Sequence, residues 1–387
     1  MKKIKVMHVY NSLFDGGIEK YMLMLFDGLD QEKFSCSVCC LIEPGTHAPF
    51  FEARGYKVFT LQATNRQSPL GILKNLREVW RLAALLRSEQ IDIMHAHDFF
   101  SPLLARLAAM LARTPVIFVT LHNLQSWLSP VHHAINRWLS HRTRNVICVS
   151  HAVAQFSRTH DRLNDEKYIV IPNGIDIAAY TISRSMRTQY RREFQIADGD
   201  ILIGNIATFS FRKGHAYLIE AFIALCKLHP NLKLMLIGST RPQEPLVKPD
   251  LQQQLERAGL SDKVIFTGSR ADAALMINAF DLFVMSSVTE GLSFASLEGM
   301  LMQKPVVYSD IAPFAEIVKH NETGFLFKSG DADDLAAQIE YVLAHPERAA
   351  EVAANARASV IEHYNFATMM RAYNRLYTEA AQAAVGQ

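Results

Sequence analysis

The chain has 387 residues and a net charge of +2, with 49% hydrophobic and 20% charged residues. This length exceeds the roughly 250–300 residues that one hydrophobic core usually supports, so two domains are expected. The composition excludes wholesale disorder, and the near-zero charge gives no sign of a nucleic-acid partner. Residues 1–172 carry +6 and the remainder −4. This asymmetry favours an anionic partner for the first half, although random surface charge explains it equally well.

The first half alternates short apolar runs with segments of helical periodicity, which is the pattern of a parallel sheet with crossover helices. The predicted strands are 4–10, 35–42, 57–61, 91–97, 116–121, 145–149 and 168–171. The predicted helices lie near 18–29, 70–88, 101–112, 131–142 and 151–158. This order predicts one doubly wound domain.

The alternation breaks at Pro172-Asn173-Gly174, and the polar, arginine-rich segment 183–200 is predicted to be a linker or hinge. A second set of strands follows at 201–207, 232–237, 264–267, 282–285, 306–308 and 324–327. Its helices are predicted near 214–228, 248–258, 272–279, 294–302, 313–319 and 331–345, before a helical tail at 347–383. The sequence therefore predicts an α/β protein with two Rossmann-like doubly wound domains that face each other across a ligand-binding cleft.

The cysteines and the chain start indicate a cytoplasmic protein. Cys36, Cys39 and Cys40 fall in one apolar run, and no second cysteine pair with zinc-ligand spacing follows, so a buried strand is predicted there. A reducing compartment fits this pattern. The basic start lacks the apolar core of a secretory signal, and no run of about 18 apolar residues predicts a membrane span.

A Gly16-Gly17-Ile18-Glu19 motif follows the first strand and opens a helix. Adjacent glycines let the backbone approach a ligand, and free amides at a helix start favour an anion or a sugar hydroxyl. A tight strand-to-helix turn explains the motif equally well. It lacks the G-x-G-x-x-G spacing, which disfavours a dinucleotide cofactor.

Two further motifs lie in the second half. Arg212-Lys213-Gly214 follows its first strand, and adjacent cations there suit a diphosphate ligand. The alternative is a solvated helix start, but cations at that position oppose the helix dipole. Glu290 and Gly291 end a strand, and Ser293 begins a helix that carries Glu298. Amides at that helix start can hold a diphosphate, with Glu298 available for ribose hydroxyls or simply for its own helix dipole.

Histidines end two neighbouring strands of the first half. His95-Ala96-His97-Asp98 imitates a metal cluster, but no third ligand at a known spacing follows, so no metal is predicted. His122 ends the next strand at the same sheet edge, where it would face a reacting group. Asp198-Gly199-Asp200 precedes a strand, so these residues are predicted to form a turn rather than a metal-binding motif.

Together these motifs resemble those of the family-4 retaining glycosyltransferases of the GT-B fold, over nearly the whole chain. The matching segments are Gly16-Gly17-Ile18-Glu19, residues 171–176, Arg212-Lys213-Gly214, and Glu290 with Glu298. The resemblance implies an acceptor-binding domain at 1–174 and a donor-binding domain at 175–363. It also implies that a C-terminal helix, 364–387, packs back on the first domain.

The resemblance implies roles for these residues. The donor site would comprise Gly16, Gly17, Arg212, Lys213, Ser269, Arg270, Glu290, Gly291, Leu292, Ser293 and Glu298. Within it, Arg212 and Lys213 would neutralise the departing diphosphate, and Ser269-Arg270 would lie at the base pocket. The catalytic residues would be His122, Glu290, Lys213 and Arg212.

The two glutamates and the first-domain residues have separate roles in this resemblance. Glu290 would contact the donor-sugar hydroxyls, and Glu298 would bind the ribose. His122 would lie beside the transferred sugar, and Glu19 with His122 would meet the acceptor.

The family chemistry implies a nucleotide-diphosphate sugar, first of all a UDP-sugar, as co-substrate, with no cofactor and no metal. The acceptor would be a saccharide or a lipid-linked saccharide of bacterial surface-glycan synthesis, namely lipopolysaccharide, capsule or exopolysaccharide. Leu292-Ser293 replaces the Phe-Gly that many relatives carry, so this loop's donor contacts are expected to differ. A nucleotide-sugar 2-epimerase and a non-catalytic nucleotide-sugar-binding protein are alternatives on the same fold.

Membrane contact is a separate expectation. The segment 70–86 interleaves basic and apolar residues, which predicts a basic amphipathic helix. Such a helix at the inner face of the cell membrane would suit a lipid-linked acceptor. The alternative is a surface helix whose apolar face packs on the sheet.

Overall fold

The structure is a computed structural model and describes residues 2–14, 16–65, 68–98, 100–241 and 244–385. Residues 386 and 387 of the predicted C-terminal helix lie outside these ranges. The chain divides into two compact units. Unit 1 comprises residues 1–173 and 367–387, and unit 2 comprises residues 174–366.

Unit 1 contains one parallel sheet of seven strands in the order β3-β2-β1-β4-β5-β6-β7. The strands are β1 (Ile4–Tyr10), β2 (Phe34–Cys40), β3 (Lys57–Thr60), β4 (Ile93–His97), β5 (Val116–Leu121), β6 (Asn145–Cys148) and β7 (Tyr168–Val170). The helices are α1 (Gly17–Gly28), α2 (Ala48–Glu52), α3 (Pro69–Ser88), α4 (Phe100–Ala112), α5 (Pro130–Ser140) and α6 (His151–Asp161). The seven predicted strands are confirmed, and the short helix α2 is an addition.

The central strands of unit 1 are buried on both faces. Every residue of β4 and β5 is buried, because crossover helices cover both sides of a parallel sheet. The three cysteines of β2 are buried as well, and all five cysteines of the chain are free thiols. This confirms the prediction of a buried strand rather than a zinc site at Cys36, Cys39 and Cys40.

Unit 2 contains a parallel sheet of six strands in the order β10-β9-β8-β11-β12-β13. The strands are β8 (Ile201–Ile206), β9 (Leu232–Ile237), β10 (Val264–Gly268), β11 (Leu282–Met285), β12 (Val306–Ser309) and β13 (Phe325–Phe327). The helices are α7 (Arg184–Glu193), α8 (His215–Leu225), α9 (Val247–Arg257), α10 (Ala273–Met276), α11 (Phe294–Leu301), α12 (Ala312–Ile317), α13 (Ala332–Ala344) and α14 (Pro346–His363).

The prediction of a linker over residues 183–200 is wrong, because most of that segment is helix α7. The Ser183 hydroxyl accepts a hydrogen bond from the Met186 amide and caps the helix. Arg187 and Arg191 bind the carboxylate of Asp281, at 2.6 and 3.1 Å. The helix is therefore fixed by ion pairs to a residue distant in sequence, rather than by an apolar stripe.

The tail is two helices rather than one continuous segment. Helix α14 ends at His363, and α15 (Phe366–Val385) follows. From residue 367 onward this helix belongs to unit 1, where Tyr373 and Tyr377 are fully buried. Within the described part of the chain, no helix has both the length and the apolar character needed to cross a bilayer.

Candidate functional site

The strand order of unit 2 reverses between β8 and β11, which are paired neighbours. At such a switch point the loops that follow the two strands diverge, and the gap between them is where open α/β sheets bind ligands. The loop after β8 carries Arg212 and Lys213, and the loop after β11 carries Glu290. The topology therefore brings the two motifs to the same place.

Lys213 and Glu290 form an ion pair at this switch point. The Lys213 ammonium donates to Glu290 Oε1, and the Ser287 hydroxyl donates to the same oxygen at 2.8 Å. The side chains of Lys213 and Glu290 are only 16% and 6% exposed. Ser287 is a site residue that the motif analysis missed, because a lone serine in a loop has no distinctive spacing.

Backbone contacts hold the two loops together. Gly214 has a φ of 62°, and a Cβ there would lie 1.9 Å from the carbonyl oxygen of Ser286. The Ser286 hydroxyl donates to Lys213 O at 3.1 Å, and the Val288 amide donates to Arg212 O at 2.9 Å. The glycine is therefore required for a close approach that fixes the position of Lys213.

Helix α11 begins at the same edge, directly after the buried Gly291, the buried Leu292 and Ser293. Its backbone lies close to the sheet, since a Cβ at Gly299 would lie 2.4 Å from Phe283 Cδ1. The Tyr308 hydroxyl donates to the carbonyl oxygen of Ser296 at 2.7 Å. These contacts fix the amides of the helix start beside the ends of β11 and β12.

Glu298 lies one turn into α11 and is 4% exposed. The Tyr180 hydroxyl donates to Glu298 Oε1 at 2.8 Å. Burial and the nearby carboxylate raise the pKa of Tyr180, so this hydroxyl keeps its proton and remains a donor. Tyr180 was not anticipated, because the residue is 118 positions away from its partner.

Ser269 and Arg270 follow β10, the edge strand, two strands away from the switch point. Ser269 is exposed. Arg270 donates to both carboxylate oxygens of Asp272, at 2.8 and 2.9 Å, and to Glu193 at 2.9 Å. The arginine thus connects α7 to the loop after β10, and its predicted place in a base pocket stays a prediction.

The sheet of unit 1 has its own switch point, between β1 and β4. Gly16 is the N-cap residue of α1, Gly17 begins the helix, and Glu19 on its first turn is 5% exposed. A Cβ at Gly16 would lie 2.7 Å from Glu19 Oε2. The Glu19 carboxylate therefore folds back over the helix start, where a negative charge stabilises the helix dipole.

His122 follows β5 at the same edge of this sheet and is 7% exposed. Its Nε2 hydrogen-bonds His97 Nδ1 at 2.9 Å, and the Tyr21 ring packs edge-on against it with centroids 4.8 Å apart. Burial lowers the pKa of His122 to about 3. The imidazole is therefore neutral, and it can donate or accept a hydrogen bond without carrying charge.

The fold brings a third imidazole to His95 and His97, which no sequence spacing indicates. His8 on β1 lies beside them, and ligand nitrogens of the three imidazoles lie within 4.8 Å of one another. The residue was missed because it comes from a strand that is distant in sequence. Asp200 has the predicted turn role, since its carboxylate accepts from the Ala197 amide at 2.8 Å.

Comparisons with known proteins agree with this architecture. The model for glycosyl transferases group 1 matches residues 186–359, and the model for glycosyltransferase family 4 matches residues 15–179. The UDP-Gal:alpha-D-GlcNAc-diphosphoundecaprenol alpha-1,3-galactosyltransferase of Escherichia coli is 25% identical over 86% of this chain and 86% of its own. The N-acetyl-alpha-D-glucosaminyl L-malate synthase of Bacillus anthracis is 24% identical over 77% of each.

Solved structures show the same fold. Anabaena Alr3699/HepE, crystallised with UDP-glucose, superimposes with a TM-score of 0.85 at 25% identity, over 98% of this chain and all of that one. The two family models between them match most of both units. The chain therefore belongs to the family-4 glycosyltransferases of the GT-B fold.

Proposed function

We propose that this glycosyltransferase moves a hexose, with retention of configuration, from a nucleoside diphosphate sugar to a saccharide or lipid-linked saccharide of a bacterial surface glycan. The observation that carries the proposal is the pair of Lys213 and Glu290 at the switch point of unit 2. A cation beside a carboxylate suits a ligand that joins a phosphate to a hydroxyl-rich sugar. The printed names of the relatives support UDP-sugar as donor and a diphospholipid-linked sugar as acceptor.

The donor diphosphate is proposed to bind Arg212, Lys213 and the start of α11. Two cations and the amides at the start of a helix offset the charge that develops on the leaving diphosphate. Because the protein itself supplies the compensating positive charge, the proposal requires no metal and no other cofactor.

The two glutamates are proposed to bind the hydroxyl groups of the donor. Glu290 accepts from the sugar hydroxyls, and the adjoining Gly291, Leu292 and Ser293 shape its surroundings. Glu298 accepts from the ribose, and Tyr180 orients its carboxylate through a hydrogen bond to Oε1. Ser269 and Arg270 are proposed to contact the nucleotide base, while Arg270 keeps its hydrogen bonds to Asp272 and Glu193.

Unit 1 is proposed to supply the acceptor contacts. A neutral His122 can hydrogen-bond a sugar hydroxyl from the end of β5, and Glu19 can meet the acceptor from the start of α1. Gly16 and Gly17, at the start of the same helix, are proposed to let the donor approach the backbone. These roles depend on hydrogen bonding rather than on charge at His122.

The chemical step is proposed to proceed on one face of the sugar. The bond between the anomeric carbon and the diphosphate oxygen breaks, and its electron pair stays on the diphosphate. The acceptor oxygen adds to the same face, and its proton passes to the departing diphosphate oxygen. Glu290 acts by hydrogen bonding and not as a nucleophile, so a trapped glycosyl adduct on Glu290 would contradict this step.

A thermal-shift panel tests the donor site. UDP, GDP, ADP, CMP and their common sugar conjugates are added, with and without EDTA, to the wild type, to Lys213→Ala and to Lys233→Ala. Lys233 is a matched control, because it pairs with Asp200 at 3.0 Å in the same unit. A ligand that binds only the native state raises its Tm, so the shift on addition is compared and not the starting Tm.

The expected result is stabilisation by one nucleoside diphosphate, above all UDP. The increase in Tm on adding this nucleotide should be unaffected by EDTA, smaller in Lys213→Ala and the same in Lys233→Ala. Release of a free sugar epimer without acceptor would instead indicate an epimerase. Nucleotide binding without any transfer across acceptors would favour a binding protein.

Membrane contact is proposed as a second property of unit 1. Helix α3 buries Val79, Leu82, Ala83 and Leu86 against the core. A second apolar stripe on the same helix is exposed and comprises Leu70, Ile72, Leu73, Leu76 and Trp80. Lys74 and Arg77 are exposed beside it, so the surface combines apolar insertion with attraction to anionic lipid at the inner face of the membrane.

Vesicle sedimentation tests this contact. The wild type should sediment with vesicles that contain phosphatidylglycerol and much less with pure phosphatidylcholine. The double variant Lys74→Glu/Arg77→Glu and the variant Trp80→Ser should each lose binding. Arg81→Glu is a comparison, because Arg81 already pairs with Glu78 at 3.0 Å. Undiminished binding by the double variant would contradict the proposal.

A further inference from the structure

Four buried imidazoles in unit 1 belong to one line of hydrogen bonds, which we call the histidine chain. In order, its members are His122, His97, His8, Tyr377, His95 and Thr120. The Nε2 of His122 lies 2.9 Å from His97 Nδ1, and His97 Nε2 lies 2.8 Å from His8 Nδ1. Each ring therefore uses both nitrogens except His122, which contributes Nε2 and keeps Nδ1 outside the chain.

The second half of the histidine chain passes through a tyrosine. The Tyr377 hydroxyl lies 3.5 Å from His8 Nε2, which is the longest link, and also bonds His95 Nδ1. His95 Nε2 lies 2.6 Å from Thr120 Oγ1. Tyr377 is on α15, so the last helix of the protein completes the histidine chain that begins on the central strands.

Every imidazole of the histidine chain is neutral. Burial lowers the pKa of His8 and His122 to about 3, and it lowers those of His95 and His97 well below the usual value. His8, His95 and His97 have no exposed surface, whereas His122 is 7% exposed. A neutral imidazole carries one N–H and one lone pair, so each ring must donate on one side and accept on the other.

This requirement makes the histidine chain directional. If His122 donates from Nε2, then His97 donates to His8, His8 to Tyr377, Tyr377 to His95, and His95 to Thr120. If Thr120 donates instead, every bond reverses and His122 carries its proton on Nδ1. Between two rings, a mixture of directions would leave two lone pairs or two hydrogens facing each other. At Tyr377 it would leave the hydroxyl accepting from both imidazoles, with its own hydrogen pointing out of the histidine chain. Both arrangements are costly in a buried site.

We propose that His97, His8, Tyr377 and His95 are positioning residues for His122, and that their common hydrogen-bond direction decides which nitrogen of His122 carries the proton. The inference rests on the proposed role of His122 as a hydrogen-bonding partner of the sugar. Nδ1 of His122, at the end of the histidine chain, is then fixed as either donor or acceptor by His97, His8, Tyr377 and His95. The edge-on Tyr21 ring holds the imidazole plane while the chain sets its tautomer.

A buried metal ion is the competing interpretation of the same imidazoles. His8 Nδ1 and His97 Nε2 are hydrogen-bonded to each other at 2.8 Å, and the other nitrogens of these rings bond Tyr377 and His122. His95 has Tyr377 and Thr120 as partners for its two nitrogens. The hydrogen bonds therefore account for all three candidate ligands, and the test includes metal analysis as a deciding outcome.

Nitrogen-15 NMR of the imidazole rings measures the tautomer directly. Protonated and unprotonated imidazole nitrogens have well-separated shifts, and the signals of His122 are identified by their loss in His122→Gln. The key variant is Tyr377→Phe, which removes one hydroxyl from the middle of the chain and keeps the ring. Tyr168→Phe is the matched control, because the Tyr168 hydroxyl accepts from Ser157 and has no part in the histidine chain.

The proposal predicts one dominant His122 tautomer in the wild type, a changed tautomer population in Tyr377→Phe, and no change in Tyr168→Phe. His8→Leu should also change the population, because it removes both links through His8. In a donor-turnover assay, Tyr377→Phe should lower kcat by about tenfold with KM unchanged, the order expected when one hydrogen bond to substrate is lost.

Two results would overturn the proposal. One is a His122 tautomer that is identical in the wild type, Tyr377→Phe and His8→Leu. The other is a stoichiometric metal ion in the purified protein, found by elemental analysis. Its removal would then change the imidazole nitrogen signals of His8 and His97. Because the NMR readout needs no substrate, absence of turnover in every variant would count against the proposed function and not against the histidine chain.

Discussion

Glu298 and Tyr180 form the contact on which nucleoside binding depends in this account. The Tyr180 hydroxyl donates to Glu298 Oε1 at 2.8 Å, and Glu298 is buried. We predict that Glu298→Gln weakens UDP binding by about tenfold, because a charge-assisted hydrogen bond to a ribose hydroxyl becomes a neutral one. Isothermal titration calorimetry with UDP measures the change.

Two comparisons make that prediction specific. Glu340→Gln replaces a glutamate that bonds His229 in the same unit, and it should leave UDP affinity unchanged. Tyr180→Phe should weaken UDP less than Glu298→Gln, since it removes an orienting group and not the ligand's own partner. Equal affinities for the wild type and Glu298→Gln would remove Glu298 from the proposed site.

At the residue scale, the sequence analysis selected candidate site residues that lie in short motifs after a strand. Lys213 and Glu290 come together because their strands, β8 and β11, are neighbours at a switch point, and strand order rules anticipate that. Tyr180, Ser287 and His8 were missed, since each meets its partner through the tertiary fold. No local spacing encodes the pairing of Tyr180 with Glu298 or of His8 with His97.

Gly214 determines how the loop after β8 meets the loop after β11. A Cβ at this position would meet the Ser286 carbonyl at 1.9 Å, and φ is 62°. We predict that Gly214→Ala destabilises the protein by about 3–5 kcal/mol, from the left-handed backbone together with overpacking. It should also weaken UDP binding, because Lys213 would move with the loop.

Gly259 is a matched control for this element. It has a φ of 67°, but a Cβ there would meet nothing within 4 Å. Gly259→Ala should cost only about 1 kcal/mol, the left-handed penalty less the gain from a stiffer unfolded chain. Urea denaturation midpoints compare the two variants, and similar losses in both would mean that the Ser286 contact is unimportant.

At the element scale, periodicity predicted the strands well but missed two helices, the short α2 and α7. Strands buried on both faces, such as β4 and β5, produce unmistakable apolar runs. Helix α7 has almost no apolar stripe, because Arg187 and Arg191 fix it through Asp281. A helix that binds through charge resembles a solvated linker in sequence, and only the position of Asp281 distinguishes the two.

The pH dependence of stability is a property of the whole molecule. Burial lowers the pKa of His8, His122 and His215 to about 3, from an ordinary value near 6.5. Between these values the unfolded chain binds more protons than the native one, so stability is complete above pH 6.5 and falls as pH falls. We predict a falling Tm from about pH 6.5 to 4.5, above the range where most carboxylates titrate.

Differential scanning calorimetry across this range checks the prediction. His8→Asn should show a shallower fall, because one buried imidazole no longer opposes protonation. A Tm that stays level from pH 6.5 to 4.5 in the wild type would mean that these imidazoles are protonated in the folded state.

The central claim, retaining transfer from a nucleoside diphosphate sugar, is tested most directly by the configuration of the first product. An α-linked UDP-hexose is incubated with the protein and a panel of alkyl glycosides, while phosphorus NMR follows UDP release and proton NMR reports the new anomeric signal. The account predicts release of UDP with an α-linked product. A β-linked product would contradict retention, and an epimerised sugar nucleotide that forms without acceptor would contradict transfer itself.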